Sequence, residues 1–119
     1  MDLSIVVPIY NVESYLEACL SSIEPILSNE NVELILVNDG SKDGSEDICY
    51  KYIDKISNTQ HPTPNTQHQI PNTKHQIYIY QDNQGTAEAR NTGIKNSNGK
   101  YIVFIDSDDF INCQVLLDF

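Results

Sequence analysis

The chain has no tryptophan, one methionine and only seven basic residues against seventeen acidic ones. A net charge of −10 repels nucleic acid and anionic membrane surfaces, so neither is an expected partner. A phosphate-bearing ligand would need a divalent cation as mediator. Long hydrophobic runs are also missing. The longest span about five residues, against the roughly 20 that cross a bilayer. No basic segment followed by an apolar one opens the chain, so no secretory signal is read. The three cysteines, Cys19, Cys49 and Cys113, form no CxxC pair, which argues against zinc and against a disulfide framework. They are expected to be free buried thiols in a reducing cytoplasm. What remains is a 119-residue chain, 39% hydrophobic, enough for one domain with one core.

Apolar patterning is clear. Leu3 to Pro8 is a continuous run rich in Ile and Val, as in a strand buried on both faces, with Pro8 as its end. Leu16, Cys19, Leu20 and Ile23 recur at helical spacing. Asn11 or Ser14 is expected to cap that helix, and Pro25 to close it. Val32 to Val37 predicts a second strand. SKDGSED then supplies capping side chains and early acids before a second amphipathic helix carrying Ile48, Tyr52, Ile53 and Ile56. A third strand is expected at Ile77–Tyr80, a third helix at Thr86–Asn96 and a fourth strand at Tyr101–Ile105. The order β-α-β-α-β-α-β predicts an α/β fold, a mainly parallel sheet with helices on both faces.

One segment breaks this rhythm. Residues 58–76 read NTQHPTP NTQHQIP NTKHQ, a seven-residue unit copied about three times. Each full copy contains proline and almost nothing apolar, so it is no coiled-coil heptad. His61, His68 and His75 share one place in the unit, which copying explains more simply than a metal tract does. Such sequence cannot bury enough surface to offset its ordering entropy. It is read as an insertion between the second helix and the third strand, which costs little in closure entropy.

Ligands of parallel sheets collect beyond the carboxyl ends of the strands. Those ends here are Pro8–Asn11, Asn38–Ser41, Asp82–Gly85 and Asp106–Asp109. Four loops thus deliver polar residues to one edge. Taken alone, Asp39-Gly40 is also a turn dipeptide, and the acids after Ile105 also suit a helix N-terminus. Yet YIVFIDSDD runs five apolar residues into three carboxylates within four positions. Like charges that close repel unless a cation sits among them. Carboxylate oxygens suit Mg²⁺ or Mn²⁺, and Mg²⁺ commonly takes one or two carboxylates plus substrate phosphates.

The segments SIVVPIYNVESYLEACLSSI, ELILVNDGSKDGSEDIC and DNQGTAEARNTGIKNSNGKYIVFIDSDD resemble the family 2 glycosyltransferases of the GT-A fold. The resemblance covers nearly all the chain except the repeat. It implies transfer of a sugar from a nucleotide-diphosphate sugar, UDP being common, to an acceptor hydroxyl of a glycan, lipid or protein. Inversion at the anomeric carbon, Mn²⁺ or Mg²⁺ dependence and a place in polysaccharide or cell-surface glycan synthesis are implied with it. It further implies that Pro8 and Tyr10 line the base pocket, that Asp39 contacts the base and that Asp106 touches the ribose. Asp108 matches the metal ligand to the diphosphate, and Arg90, beside Asn91, supports the donor pocket.

No residue matches the family's catalytic base, which is expected beyond Phe119. The chain is therefore read as one donor-binding portion, residues 1–119, of a larger enzyme. The rival reading is an inactive fragment that binds nucleotide and metal. A sugar nucleotidyltransferase needs a basic, Gly-rich loop where PIYNVESY stands, and a haloacid-dehalogenase phosphatase needs its DxD after the first strand. A Rossmann oxidoreductase needs GxGxxG. The fourth strand is expected to leave an open sheet edge through which copies self-associate. Location is expected to be cytoplasmic, with the rest of the protein bringing the chain to the inner membrane face.

Overall fold

The computed structural model describes residues 2–57 and 76–106. Within them run strand β1 (Leu3–Ile9), helix α1 (Glu13–Ile23), a 3₁₀ turn (Glu24–Ser28), strand β2 (Val32–Asp39) and helix α2 (Ser45–Ser57). Strand β3 (Gln76–Gln81), helix α3 (Thr86–Lys95) and strand β4 (Tyr101–Phe104) follow. The four strands form one parallel sheet in the order β3-β2-β1-β4. The α/β alternation read from the sequence is the architecture found.

Both faces of the sheet are covered, because alternate strand residues point to opposite sides. On one side Ile5, Val7, Leu34 and Leu36 pack with Leu16, Cys19 and Leu20 of α1 and with Cys49 and Ile53 of α2. On the other, Val6, Ile35 and Val37 meet Ala89 of α3. Small residues let α3 lie close to the sheet. A Cβ on Gly93 would stand 2.3 Å from Val6 Cγ1, so glycine permits the approach.

Pro8 does not end β1 but lies inside it, paired with Val37. Tyr101 and Ile105 donate their N–H groups to Asp2 and Val6, so even-numbered residues of β1 face β4. The position of Pro8 faces the same way, past the last β4 pair at Val6–Phe104. Its missing N–H therefore costs no ladder bond. Pro25 sits at the start of the 3₁₀ turn, and α1 has already ended at Ile23. Gln76, placed at the end of the insertion, opens β3 and is buried. Residues 58–75, with the repeat, and Cys113 lie outside the described residues. Cys19 and Cys49 are buried thiols outside any disulfide, and burial pushes the Cys49 thiol up, which keeps it unreactive.

Glu33 is completely buried and was not marked out by its sequence context. It accepts hydrogen bonds from Ser4 Oγ and from the backbone N–H and side-chain amide of Asn98. Ser4 Oγ in turn accepts the Gly99 N–H at 2.7 Å. This network joins the α3–β4 turn to β1 and β2, and so sets where β4 begins.

Candidate functional site

The chain order carries β1 to β2 to β3 in one direction and then returns to place β4 on the other side of β1. Such a reversal opens a crevice beyond the carboxyl ends of the strands that flank it. A cleft of about 400 Å³ lies there. Pro8, Ile9, Tyr10 and Val12 line it from the end of β1, and Asp39 from the end of β2. Thr86, Ala89 and Arg90 of α3 and Asp106 after β4 complete the lining. Pro8, Tyr10, Asp39, Arg90 and Asp106, singled out from the sequence, thus share one cavity. Asp108 lies outside the described residues. Ile9, Val12, Thr86 and Ala89 were missed, since apolar or small residues carry no chemical signal before the cleft is seen.

Asp39 is only 2% exposed, a costly place for a carboxylate without partners. Oδ1 accepts from Gln81 Nε2 and the Gln84 N–H, each at 2.9 Å. Oδ2 accepts from Asn83 Nδ2 at 3.2 Å and from the Gly85 N–H at 3.0 Å. Two carboxylate oxygens offer about four lone-pair sites, and the last residue of β3 together with the loop that follows brings four donors to them. The preceding residue extends the support. Asn38 donates to Tyr78 Oη and accepts the Ser41 N–H, while Tyr78 donates to Glu46. Gly40, at φ 75°, lets the Asn83 backbone approach to 2.7 Å of where a Cβ would stand.

Across the cleft Arg90 pairs with Asp106 at 3.1 Å. Its guanidinium also lies 5.7 Å from the centroid of the Phe104 ring. Both side chains are about half exposed, so the pair adds little stability. Its importance is its position. The buried Nε–H of Arg90 meets no acceptor among the described residues. Behind Asp106, Cys19 Sγ donates to its carbonyl at 3.7 Å. Among the described residues no group of three His, Cys, Asp or Glu side chains is placed to hold a metal ion.

The model of the family described as "Glycosyl transferase family 2" matches residues 4–118. The chain belongs to glycosyl transferase family 2. Among its relatives, glycosyltransferase GlyA of Streptococcus pneumoniae is 40% identical over 92% of this chain and 13% of its own length. The minor teichoic acid biosynthesis protein GgaB of Bacillus subtilis is 41% identical over 93% of the chain and 11% of its length. The chain thus spans about an eighth of these relatives. S. aureus TarS 1–349, in a crystal structure with UDP-GlcNAc, superposes with a TM-score of 0.77 and 27% identity. That match covers 99% of this chain and 30% of TarS 1–349, and it carries the GT-A fold.

In this family 2 chain, the cleft's outer wall is built by one loop capping another. Neither Asn11 nor Ser14 caps α1 locally, and Val12 stands at the N-cap with no side-chain hydrogen bond of its own. The caps come from the β2–α2 loop and the first residue of α2 instead. The Val12 N–H donates to Ser45 Oγ at 3.1 Å and the Glu13 N–H to Asp43 Oδ2 at 3.1 Å. In return Glu13 Oε1 accepts the Gly44 N–H at 3.0 Å. Asn11, at φ 51°, donates its N–H to Ser41 Oγ and accepts the Lys42 N–H.

Partial burial pushes the Asp43 carboxyl up, but hydrogen bonds from Ser45 and Glu13 outweigh it and hold the group below 3.8. A folded value below the unfolded one stabilises the fold above the unfolded value, and the gain is lost as pH falls through the folded value. Asp43→Asn is therefore expected to melt below the unsubstituted chain near neutral pH, with the gap closing as pH falls through and below the unfolded carboxyl's value. Thermal melts across that range check this, and a gap that widens on acidification contradicts it.

Proposed function

We propose that this chain binds the nucleotide diphosphate of a sugar donor, with UDP as the nucleotide. The protein to which it belongs would transfer the sugar to an acceptor hydroxyl in cell-surface glycan synthesis. The observation that carries this reading is the convergence of Pro8, Tyr10, Asp39, Arg90 and Asp106 on one cleft at the sheet's switch point. The likeness to TarS, whose crystal structure holds UDP-GlcNAc, supports the choice of uridine. The likeness to GgaB supports a cell-wall product.

In this reading Pro8 and Tyr10 flank the base, Tyr10 being 47% exposed and free to stack. Asp39 meets the base through an oxygen it shares with the Gln81–Gly85 loop. Asp106 reaches the ribose, and Arg90 holds Asp106 in place from α3. Asp108, two residues further on, is proposed as the ligand of Mn²⁺ or Mg²⁺. Asp106 alone among the described residues fits such an ion in kind: a half-exposed carboxylate at the cleft. A hard divalent ion takes few protein carboxylates when phosphates complete its shell. When bound, it would offset the charge that develops on the leaving diphosphate.

Inversion requires a carboxylate to take the acceptor's proton. The described cleft does not place one for this. Asp39 is buried with its oxygens occupied, and Asp106 pairs with Arg90. This favours the second reading for the chain by itself, donor binding without transfer. The edge of β4 that pairs with no strand among the described residues, where Tyr101 and Phe104 are 50% and 40% exposed, is proposed as a surface for self-association. Light scattering that stays monomeric at high concentration contradicts that proposal.

The donor proposal is tested by calorimetric titration. UDP should bind more tightly with Mn²⁺ than without it. Asp108→Ala should abolish that difference and leave uridine binding intact. Asp39→Ala, titrated at a temperature where it is folded, should weaken uridine and UDP alike. Equal losses of both ligands in the two variants would overturn the division of roles. Absence of UDP binding in the unsubstituted chain would overturn the nucleotide reading.

A further inference from the structure

Three side chains beside the cleft touch none of its interior. Asn11, Glu13 and Asp43 are exposed and do not line the cavity. Yet five hydrogen bonds join the β1–α1 loop to the β2–α2 loop, and each of these residues takes part. We propose that Asn11, Glu13 and Asp43 are positioning residues, a clasp that holds the Tyr10–Val12 wall of the cleft at a fixed distance from the end of β2. The proposal rests on the reading of this cleft as a nucleotide site.

The direction of the bonds supports it. Every one has a backbone N–H as donor and, as acceptor, a side chain of the opposite loop or of the first residue of the helix after it. Each loop therefore orders the other's main chain. Asn11 adds a conformational requirement. It is the sole non-glycine residue with positive φ among the described residues, a region that asparagine tolerates better than most residues. That conformation directs its N–H to Ser41 and its Oδ1 to the Lys42 N–H at once. Its neighbours Tyr10 and Val12 line the cleft. Besides these bonds, Val12 packs against the core and Ser45 is fully buried. Residues 10, 11, 13, 42 and 43 are all exposed, so apolar burial does not set their separation. Loops with few buried contacts open at low free energy, and hydrogen bonds of this kind decide how often.

Simple helix capping would make the same bonds and give stability alone. Nucleotide affinity separates the two roles. Asn11→Gly keeps access to positive φ and removes the acceptor for Lys42. Asn11→Asp keeps the acceptor. Asp43→Ala removes the acceptor for Glu13. Ser97→Ala is a control at the opposite end of the sheet, where Ser97 Oγ donates to the Ile94 carbonyl. UDP with Mn²⁺ is titrated at a temperature where all variants are folded, and exchange of the Glu13, Lys42 and Gly44 amides is followed by NMR. Asn11→Gly combined with Asp43→Ala should bind UDP at least fivefold more weakly and expose those amides to exchange. Asn11→Asp should bind within twofold of the unsubstituted chain, as should Ser97→Ala even where its melting temperature falls. UDP affinity within twofold in the double variant, with those amides exchanging freely, overturns the clasp alone. If the double variant does not fold, Asn11→Gly carries the test, with a loss of about twofold or more expected and unchanged affinity overturning it. Failure of the unsubstituted chain to bind UDP overturns the nucleotide reading and the clasp's role with it.

Discussion

Strand β2 carries a buried carboxylate near each end, and helix α3 hangs between the two. Asp39, the last residue of β2, takes the N–H groups of Gln84 and Gly85 just before α3. Glu33, the second residue of β2, takes the Asn98 N–H just after it. A buried carboxylate without donors is strongly unfavourable, so each of these groups requires its loop to be in place. The positive end of the helix dipole adds to the attraction at Asp39. Loss of either carboxylate would also take the acceptor from the Gln84 and Gly85 N–H groups or from that of Asn98. The glycine at position 93 then brings the suspended helix down onto Val6.

That suspension determines the cleft. With α3 fixed at both ends, Arg90 on its inner side reaches Asp106 beyond β4. The Glu33 network also meets Ser4 of β1 and the turn before β4, so the strand that delivers Asp106 starts from an anchored point. On the other side of the sheet, α1 and α2 bury the larger core and send their N-terminal loops to the same edge. The chemistry at the carboxyl edge is therefore supported from the opposite edge, through β2 and α3. Asp39 serves both purposes, as a wall of the cleft and as the anchor of the loop beside it.

Much of this was legible in the chain itself. Apolar runs at Leu3–Pro8, Val32–Val37 and Tyr101–Ile105 marked strands to within about two residues, the usual uncertainty of such boundaries, because the strands of a parallel sheet flanked by helices are mostly apolar. Pro8, Tyr10, Asp39, Arg90 and Asp106 share one cleft because a parallel sheet collects its strand ends at one edge. What stayed hidden depends on partners distant in sequence. Pro8 could not be placed inside β1 without knowing that β4 stops at Phe104. Asn11 and Ser14 read as local caps, whereas Asp43 and Ser45 supply the caps from about 30 residues away. Glu33 looks like a surface residue until Ser4 and Asn98 surround it. Asp39 looks like a free acceptor until the Gln81–Gly85 loop folds over it. Asp108 and the repeat at 58–75 lie outside the described residues.

The central claim is that the cleft between the ends of β1 and β4 holds a nucleotide diphosphate. Residue-resolved NMR of the chain titrated with UDP and a diamagnetic divalent ion, Mg²⁺, tests it most directly. The amides of Ile9, Tyr10, Val12, Ala89, Arg90 and Asp106 should shift together along one binding curve. Those of Glu17, Ser21 and Lys51, in the groove between α1 and α2, should remain still. Shifts centred on the α1–α2 groove, or spread evenly over the chain, would contradict the account.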